Sequence, residues 1–305
     1  MSNYQQESPE VTARFVNSNF VRKIEEGRVK EAEVESSAFI REKLRQEAAV
    51  REIIVPVGIS EDEIDRDENT DQPKKIIDKE PDSTATFCQF QGTGQRTWFY
   101  GPRYSIFFGK VESQRFTKSK FELMTYTSDI RKILSDNSVK DMADEEDRAF
   151  YNLVTDIIAL NPAVQRTSGP FQSSTFKGSG QSMLRRRRPI GKMLMTKSRF
   201  MDAIDLPATT VGSDVAKRNF DEGIEATQKL WGYPCVTTIK ADIYDDTRAY
   251  MFAPQAPNNF LGNFYLLQDA TLFIKQEADI IEFWSYEALG LGIGNALSIQ
   301  EILFT

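Results

Sequence analysis

Residues 84–125 contain two segments rich in aromatic and β-branched side chains, with a turn sequence between them. The first is TATFCQFQ, the second is RTWFYGPRYSIFFGKVES, and GTGQ separates them. This order predicts a long two-stranded β-hairpin, and a hairpin alone in water is only marginally stable. The aromatic residues of the predicted strands include Phe87, Phe90, Trp98, Phe99, Tyr100 and Phe107. We therefore expect the hairpin to lie against a neighbour, with Trp98, Phe99 and Tyr100 as packing residues.

The composition is that of a folded protein without the usual catalytic groups. The 305 residues suffice for one large domain or two medium ones, and 11% aromatic residues are more than a disordered chain carries. The absence of histidine excludes Ser-His-Asp sites, Cys-His sites and zinc sites that use histidine. Cys88 and Cys235 form no CxxC pair, and we expect them to be free thiols. No catalytic residue, metal site or cofactor is predicted, and an enzyme is the least favoured class.

The N-terminal sequence MSNYQQESPEV is polar and lacks the basic segment and apolar core of a secretory signal. No apolar run approaches the ~20 residues that a membrane-spanning helix needs. We therefore expect no membrane partner and a protein that is made and kept in a cytoplasm-like compartment. The net charge of −7 argues against a dedicated nucleic-acid-binding domain, so any contact with phosphates would be local.

Two charged segments precede the aromatic hairpin. Residues 17–54 have a narrow helical stripe of apolar side chains, which Gly27 and the pair Ser36-Ser37 interrupt. This helix is predicted either as an arm that docks on something else or as an ordinary surface helix. Residues 58–83 are acidic and contain two prolines, which predicts an extended loop. The stretch DRDENTD in that loop lacks the glycine and glutamate of an EF-hand, so no calcium site is predicted.

The clearest helical pattern spans residues 141–160. Acidic side chains crowd its first turns, where the helix dipole favours anions. Apolar residues recur at helical spacing from Phe150 to Leu160, and the sequence Asn161-Pro162 is expected to end the helix.

The C-terminal half is predicted to mix helices and strands. Residues 163–191 are predicted to be irregular. Beyond them GKMLMT, YPCVTTIKADI and RAYMFAP predict strands, and KSRFMDAID and TVGSDVAKRNFDEG predict helices, which gives an α+β subdomain. Residues 270–304 alternate like antiparallel strands, with turn glycines at Gly290, Gly292 and Gly294. The sequence GLGIG there lacks the glycine spacing of a dinucleotide-binding loop, so no phosphate site is assigned to it.

Four consecutive arginines, Arg185, Arg186, Arg187 and Arg188, lie within this acidic chain. The residues themselves leave three interpretations open. The block could contact nucleic-acid phosphates, pair with acidic residues such as Glu61 to Glu68 of a partner subunit, or form a solvated basic loop. Because four consecutive charges cannot all point one way on a regular element, a loop is favoured over a binding helix.

The ordered series of parts resembles the major capsid protein of tailed bacteriophages, which has the Hong Kong 97-type fold. The resemblance covers most of the chain and weakens at residues 163–188. It is carried by ESSAFIREKLRQEA, DRDENTDQPKKIIDKEPDS, RFTKSKFELMTYTSDIRKILSDNSVKDM and ADIIEFWSYEALGLGIGNALSIQEI. It implies an α+β fold with an N-terminal arm, an extended β-hairpin called the E-loop, a peripheral domain with a long spine helix, and an axial domain. On this chain the implied parts are the arm 1–57, the E-loop 58–120, the peripheral domain 121–184 and 270–305 with its spine helix at about 141–160, and the axial domain 185–269.

The resemblance implies a structural protein that self-assembles through pentamers and hexamers into an icosahedral head enclosing phage DNA. Its partners would be copies of itself, non-specifically bound double-stranded DNA, and scaffolding, portal and decoration proteins. It would reside in the virion after assembly in the host cytoplasm. In such a shell, the favoured role of the four arginines is to pair with acidic residues of an adjacent copy. The alternatives are an encapsulin-like compartment and a nucleic-acid-binding protein that uses the Arg185 to Arg188 loop.

Overall fold

The computed structural model describes most of the chain, which divides into two units. The described residues are 9–78, 87–94, 101, 103–127, 129–202, 229–230, 232–255 and 261–305. The first unit comprises Met1–Ile59, Gly109–Asn152 and Tyr265–Leu289, and the second comprises Ser60–Phe108, Leu153–Phe264 and Gly290–Thr305.

Helices and strands alternate along the chain. The described residues form the α-helices α1 (Pro9–Glu25), α2 (Val29–Glu47), α3 (Ala49–Ile53), α4 (Lys120–Thr125), α5 (Ile130–Leu160), α6 (Pro162–Gln165), α7 (Ser173–Arg185) and α8 (Lys197–Met201). The strands are β1 (Val57–Gly58), β2 (Asp65–Arg66), β3 (Pro73–Asp78), β4 (Arg103–Phe107), β5 (Gly109–Glu112), β6 (Phe116–Ser119), β7 (Arg166–Gly169), β8 (Lys192–Thr196), β9 (Lys229–Leu230), β10 (Tyr233–Thr238), β11 (Arg248–Phe252), β12 (Gly262–Glu277), β13 (Ile280–Ile293) and β14 (Ile299–Phe304). Short 3₁₀ turns occur at Glu61–Glu63 and Ala296–Ser298.

The first unit is built on a sheet with the strand order β1-β12-β13-β5, in which β6 also pairs with β13. Helices α1 and α2 pack on it, with Phe20 stacked on Phe283 of β13 at 6.1 Å. The apolar stripe of these helices, including Val21, Ile24 and Ile40, is buried within this unit. Of the two interpretations of this helical segment, the stripe therefore behaves as that of a surface helix packed within its own unit, and the assignment of residues 1–57 as an arm stays a prediction.

The N-terminal helical segment breaks at only one of the two predicted places. Helix α1 ends at Glu25, and Gly27 beyond it has a positive φ of 76°, a conformation that glycine adopts at little cost. Helix α2 instead continues through the Ser36-Ser37 pair. The Ser37 hydroxyl donates a hydrogen bond to the Glu33 carbonyl and accepts one from the amide of Leu272. Ser37 therefore links helix α2 to strand β12.

Helix α5 begins eleven residues earlier than the predicted spine helix of 141–160. Buried residues precede Asp141 on its inner face, including Val139. The acidic run at residues 144–147 therefore lies inside the helix and not in its first turns. The predicted apolar stripe holds at Phe150 and Val154, which are buried, but Leu160 at the helix end is exposed.

The second unit contains a six-stranded mixed sheet with the order β7-β14-β11-β8-β10-β9. Strands β8, β10 and β11 confirm the predicted strands in GKMLMT, YPCVTTIKADI and RAYMFAP, and α8 confirms the helix in KSRFMDAID. The predicted helix TVGSDVAKRNFDEG lies outside the described residues. The expectation that residues 163–191 are irregular was wrong, because α6, β7 and α7 form there. Phe176 and Met183 of α7 reach the core beneath the sheet.

A separate three-stranded sheet has the order β2-β3-β4, and β4 lies within the second predicted strand of the hairpin. Strand β4 pairs with β3, with Lys74 opposite Phe107. The acidic segment 58–83 thus contributes strands, which corrects its prediction as an extended loop. Residues 87–90 are not in a strand, and residues 84–86 and 95–100 of the predicted hairpin lie outside the described residues.

The predicted turn glycines at the C-terminal end have another role. Gly290 and Gly292 lie inside β13, and the turn between β12 and β13 is at Ala278, where φ is 53°. A Cβ atom on Gly292 would lie 2.5 Å from Cγ1 of Ile106, so only glycine permits this close approach to β4. The turn prediction was therefore wrong for Gly290 and Gly292.

Candidate assembly surfaces

The arginine block forms the C-terminal cap of α7. Arg185 is the last helical residue, and Arg187 has a positive φ of 59°. The Arg188 amide donates to the Met183 carbonyl at 3.0 Å, and the Arg187 amide donates to the Leu184 carbonyl at 2.9 Å. These two hydrogen bonds define a Schellman motif. A cation is also favoured there, because the helix dipole is negative at that end.

Arg186 is committed to contacts within its own chain. Its Nε donates to the Ser182 carbonyl at 3.2 Å, and its Nη2 donates to Oε1 of Gln300. Burial, followed by the charge of the neighbouring Arg188, lowers the pKa of Arg186. Because Arg186 and Arg188 are half-buried and only Arg185 and Arg187 are exposed, the four arginines do not act as one patch. The predicted loop is thus a structured helix end.

The predicted packing residues Trp98, Phe99 and Tyr100 lie outside the described residues. Nearby, Phe87 and Phe90 are described, and their relative exposures are 103% and 110%. Phe107 at the end of β4 is 46% exposed. Phe87 and Phe90 thus expose two large apolar side chains that contact with another molecule would bury.

A buried ionic cluster in the first unit was not predicted. Arg51 of α3 lies between Glu146 of α5 and Glu287 of β13, and the three side chains are 2%, 1% and 0% exposed. Nε of Arg51 donates to Oε2 of Glu146 at 2.8 Å, and its Nη2 donates to Oε2 of Glu287 at 2.7 Å. Next to them, both carboxylate oxygens of Asp147 accept hydrogen bonds, from the amides of Ala49 and Val50 at the start of α3.

Two carboxyl groups share one arginine in this cluster, which favours the protonated form of one of them. Burial raises the pKa of Glu287 to about 10, and the adjacent Glu146 carboxylate adds to the effect. Hydrogen bonds and charges of Glu146 and Glu287 outweigh the burial of Arg51 and raise its pKa.

One sequence signal could have indicated Glu287. Along β13 the buried positions alternate, and Ile281, Phe283, Ser285 and Glu287 share the inward face. A glutamate on such a face predicts a buried partner. The sequence does not indicate which residue that partner is, because Arg51 lies 236 residues away from Glu287.

The second unit has a comparable cluster around Glu301 of β14, which is 1% exposed. Nε of Arg166 and Nη1 of Arg248, the latter at 3.0 Å, donate to its two carboxylate oxygens. Two arginines from the neighbouring strands β7 and β11 thus neutralise one buried carboxylate and fix the register of three strands. Its role is structural within the sheet.

The described residues show neither a metal site nor a membrane span. No group of three His, Cys, Asp or Glu side chains among them could hold a metal ion. In the same part of the chain, no helix is both long and apolar enough to cross a bilayer. The acidic turn DRDENTD is instead closed by Asp67, which accepts hydrogen bonds from Thr70 and Lys74. Those bonds lower the pKa of Asp67 to about 2.

Comparison with known proteins gives matches in structure and none in sequence. No protein-family model and no curated protein matches the chain. The mature capsid of bacteriophage PhiM1 matches with a TM-score of 0.57 and 10% identity, over 82% of this chain and 85% of that one. The capsid of an empty gene transfer agent (GTA) particle matches at 0.55 with 13% identity, over 85% and 90%. A virus-like particle from Pyrococcus furiosus matches at 0.54 with 14% identity, over 89% and 99%.

At these identities the likeness establishes the fold. The chain has the α+β fold of Hong Kong 97-type capsid subunits, along most of its own length and most of theirs. The fold class predicted from the sequence is therefore confirmed.

Proposed function

We propose that this chain is a major capsid protein that self-assembles into the icosahedral head of a tailed bacteriophage. The observation that carries the proposal is the capsid fold itself, which matches phage and GTA capsid subunits over more than four fifths of this chain. The role is structural and not enzymatic.

The exposed apolar side chains of the described surface support a protein that packs against copies of itself. Phe87 and Phe90 are fully exposed, and a closed shell buries such side chains through contacts repeated around symmetry axes. The partners we propose are copies of this chain in pentamers and hexamers, together with scaffolding, portal and decoration proteins. Packaged double-stranded DNA would contact the shell non-specifically. The protein would assemble in the host cytoplasm and reside in the virion.

The division into an arm (1–57), an E-loop (58–120), a peripheral domain (121–184 and 270–305) and an axial domain (185–269) stays a prediction. Packing of Trp98, Phe99 and Tyr100 against a neighbouring copy also stays a prediction, and it gains support from the exposed aromatic residues nearby.

For the arginine block, we propose an intersubunit role that is restricted to its two exposed members. Arg185 and Arg187 are free to pair with carboxylates of an adjacent copy, for example Glu61 and Asp62, which are also exposed. Replacing both arginines by glutamine should raise the protein concentration needed for assembly about tenfold, which corresponds to a combined loss of ~1.4 kcal/mol for the two contacts. Arg22→Gln, an exposed arginine on α1, is the matched control. Unchanged assembly of the double variant would refute this role.

Assembly of the purified chain tests the proposed function. The chain, expressed alone and then with a candidate scaffolding protein, is separated by size-exclusion chromatography and imaged by negative-stain electron microscopy. Shells, tubes, or rings of five and six subunits are expected. A monodisperse small oligomer under all of these conditions would contradict the proposal.

A compartment of the encapsulin type is the second candidate. It is favoured by the match to the virus-like particle from Pyrococcus furiosus, 99% of whose chain is covered. Assemblies that purify with a protein cargo and without nucleic acid would favour it over a phage head. A nucleic-acid-binding regulator is the third, and it requires salt-sensitive DNA binding by a small oligomer.

A further inference from the structure

Strand β12 is paired with another strand along only part of one of its sides. On that side the two-residue strand β1 pairs with Tyr265 and Leu266, and the Ile59 amide donates to the Leu266 carbonyl. Within the described residues no other strand pairs with this side of β12, which continues to Glu277. Because the backbone groups of successive strand residues point alternately to the two sides, the even-numbered residues from Leu266 onward face this side.

Side chains of helix α2 bind the next backbone groups on this side of β12. A side-chain donor faces a carbonyl, and two side-chain acceptors face amides. The hydrogen bonds run from Arg41 Nε to the Ala270 carbonyl at 2.8 Å, from the Leu272 amide to Ser37 Oγ at 2.9 Å, and from the Ile274 amide to Glu33 Oε1 at 3.0 Å. We call the three side chains the α2 row and the three backbone groups the β12 edge.

The spacing of the α2 row matches the spacing of the β12 edge. The three side chains are four residues apart on α2, which corresponds to about 6 Å per step along a helix. The three backbone groups belong to residues two apart on β12, which corresponds to about 6.6 Å per step along a strand. The row therefore keeps register with the edge, in the opposite chain direction. Arg41 is held further by an ion pair with Asp269 at 3.4 Å.

The covered segment of β12 has the composition of a strand that pairs readily with other chains. Residues 270–274 have the sequence ATLFI, which carries no charge and includes three strand-forming residues. An open edge of this composition is a template for pairing with a strand of another chain. The side chains of Leu272 and Ile274 are buried, so the strand itself offers no charged side chain there to protect its edge.

We propose that the α2 row takes the place of a strand at the β12 edge and prevents this edge from pairing with a second copy of the chain. The pairing that it prevents joins the β12 edges of two copies, because two open edges of identical sequence are self-complementary about a two-fold axis. This inference concerns the single chain. It goes beyond the proposed capsid function and does not depend on it.

Hydrogen–deuterium exchange of the unassembled chain, resolved to single amides by electron-transfer fragmentation, tests each contact of the row. Glu33→Ala should speed exchange of the Ile274 amide roughly tenfold, and Ser37→Ala should do the same for the Leu272 amide, because each amide loses its acceptor. The Phe273 amide faces β13 and should be unchanged in both variants. Glu33→Gln is the matched control, because its amide oxygen still accepts the hydrogen bond and should keep the Ile274 amide protected.

Two results of the exchange measurement would overturn the inference. One is an equal rise at the Leu272, Phe273 and Ile274 amides in either alanine variant, which would show a general loosening of the sheet. The other is unchanged exchange, in either variant, at the amide that has lost its acceptor. Neither result bears on the proposed capsid function, since the unassembled chain is measured.

In a second measurement, the whole row is removed by the triple variant Glu33→Ala, Ser37→Ala, Arg41→Ala. This variant loses one acidic and one basic residue, so the net charge stays at −7, and alanine favours the helix. Under conditions that keep the parent chain unassembled, size-exclusion chromatography with light scattering should show dimers, in which the Leu272 amide is again protected from exchange. The double variant Lys30→Ala, Glu31→Ala changes two exposed residues of α2, also keeps the net charge, and is the matched control. Equal self-association of the triple variant and the control would overturn the inference, and if the triple variant does not fold, the exchange of the single variants decides.

Discussion

Neutral substitutions at Arg51 and at Glu287 should have opposite effects on the free energy of unfolding. The variant Arg51→Met leaves Glu146 and Glu287 buried without their cation. Breaking a buried ion pair in this way typically destabilises a protein by about 3–5 kcal/mol. Glu287→Gln should instead raise the free energy of unfolding at neutral pH, by up to about 3 kcal/mol. Glu287 takes up a proton on folding, at a cost that grows with each pH unit above its unfolded pKa, whereas the neutral glutamine amide needs no proton.

The same cluster predicts the sign of a pH dependence. The pKa of Glu287 is raised from 4.5 to about 10 in the folded state, so the folded chain holds a proton that the unfolded chain releases. Its stabilising contribution is complete below pH 4.5 and is lost progressively as pH rises toward 10. The slope is at most about 1.4 kcal/mol per pH unit. Glu287→Gln should remove that slope between about pH 6 and pH 8.

Urea unfolding of the unassembled chain, followed by tryptophan fluorescence, measures both quantities, and Trp284 lies on β13 close to Glu287. Glu282→Gln, a partly exposed glutamate on the same strand, is the matched control and should leave stability and slope unchanged. Uptake of a proton by Glu287 on folding is refuted if Glu287→Gln destabilises the chain as much as Arg51→Met, or if it leaves the pH slope of the parent chain intact.

Three further substitutions test the packing and the helix ends by the same unfolding assay. Gly292→Ala should cost about 1–3 kcal/mol by overpacking against Ile106, whereas Gly58→Ala, whose Cβ meets nothing within 4 Å, should be tolerated. Arg187→Gly should stabilise the chain by up to about 1 kcal/mol, since glycine adopts the left-handed cap conformation without strain, and Arg187→Ala should give no such gain. Asp147→Ala should cost about 2–3 kcal/mol, because two buried amides of α3 lose their acceptor.

The elements that sequence patterns predicted well are those with strong local periodicity. Helix α5 and strands β8, β10 and β11 carry apolar side chains at regular spacing, so their type followed from the pattern. Helix α7 was missed because Gly178, Gly180 and several serines dilute its helical propensity. Its stability comes from burying Phe176 and Met183 in the core, which only the tertiary structure shows.

Pairings between distant segments were not predictable in the same way. The strand β3 has the sequence PKKIID, a polar pattern that suggested a loop, and it is a strand because β4 supplies its hydrogen bonds. The cluster of Arg51 with Glu146 and Glu287 joins residues 95 and 236 positions apart. The sequence alone shows the arginine block. Which arginines are exposed, Arg185 and Arg187, and which one bonds within its own chain, Arg186, depends on the geometry of the α7 cap.

We propose above that copies of this chain build a closed shell. Cryo-electron microscopy of the purified assemblies tests it most directly, because an icosahedral reconstruction shows both the order of the particle and the fold of its subunit. We expect closed particles with pentamers at the five-fold vertices, into whose density each of the two units fits. Particles without this fold, or a chain that remains a small soluble oligomer with and without a scaffolding protein, would contradict it.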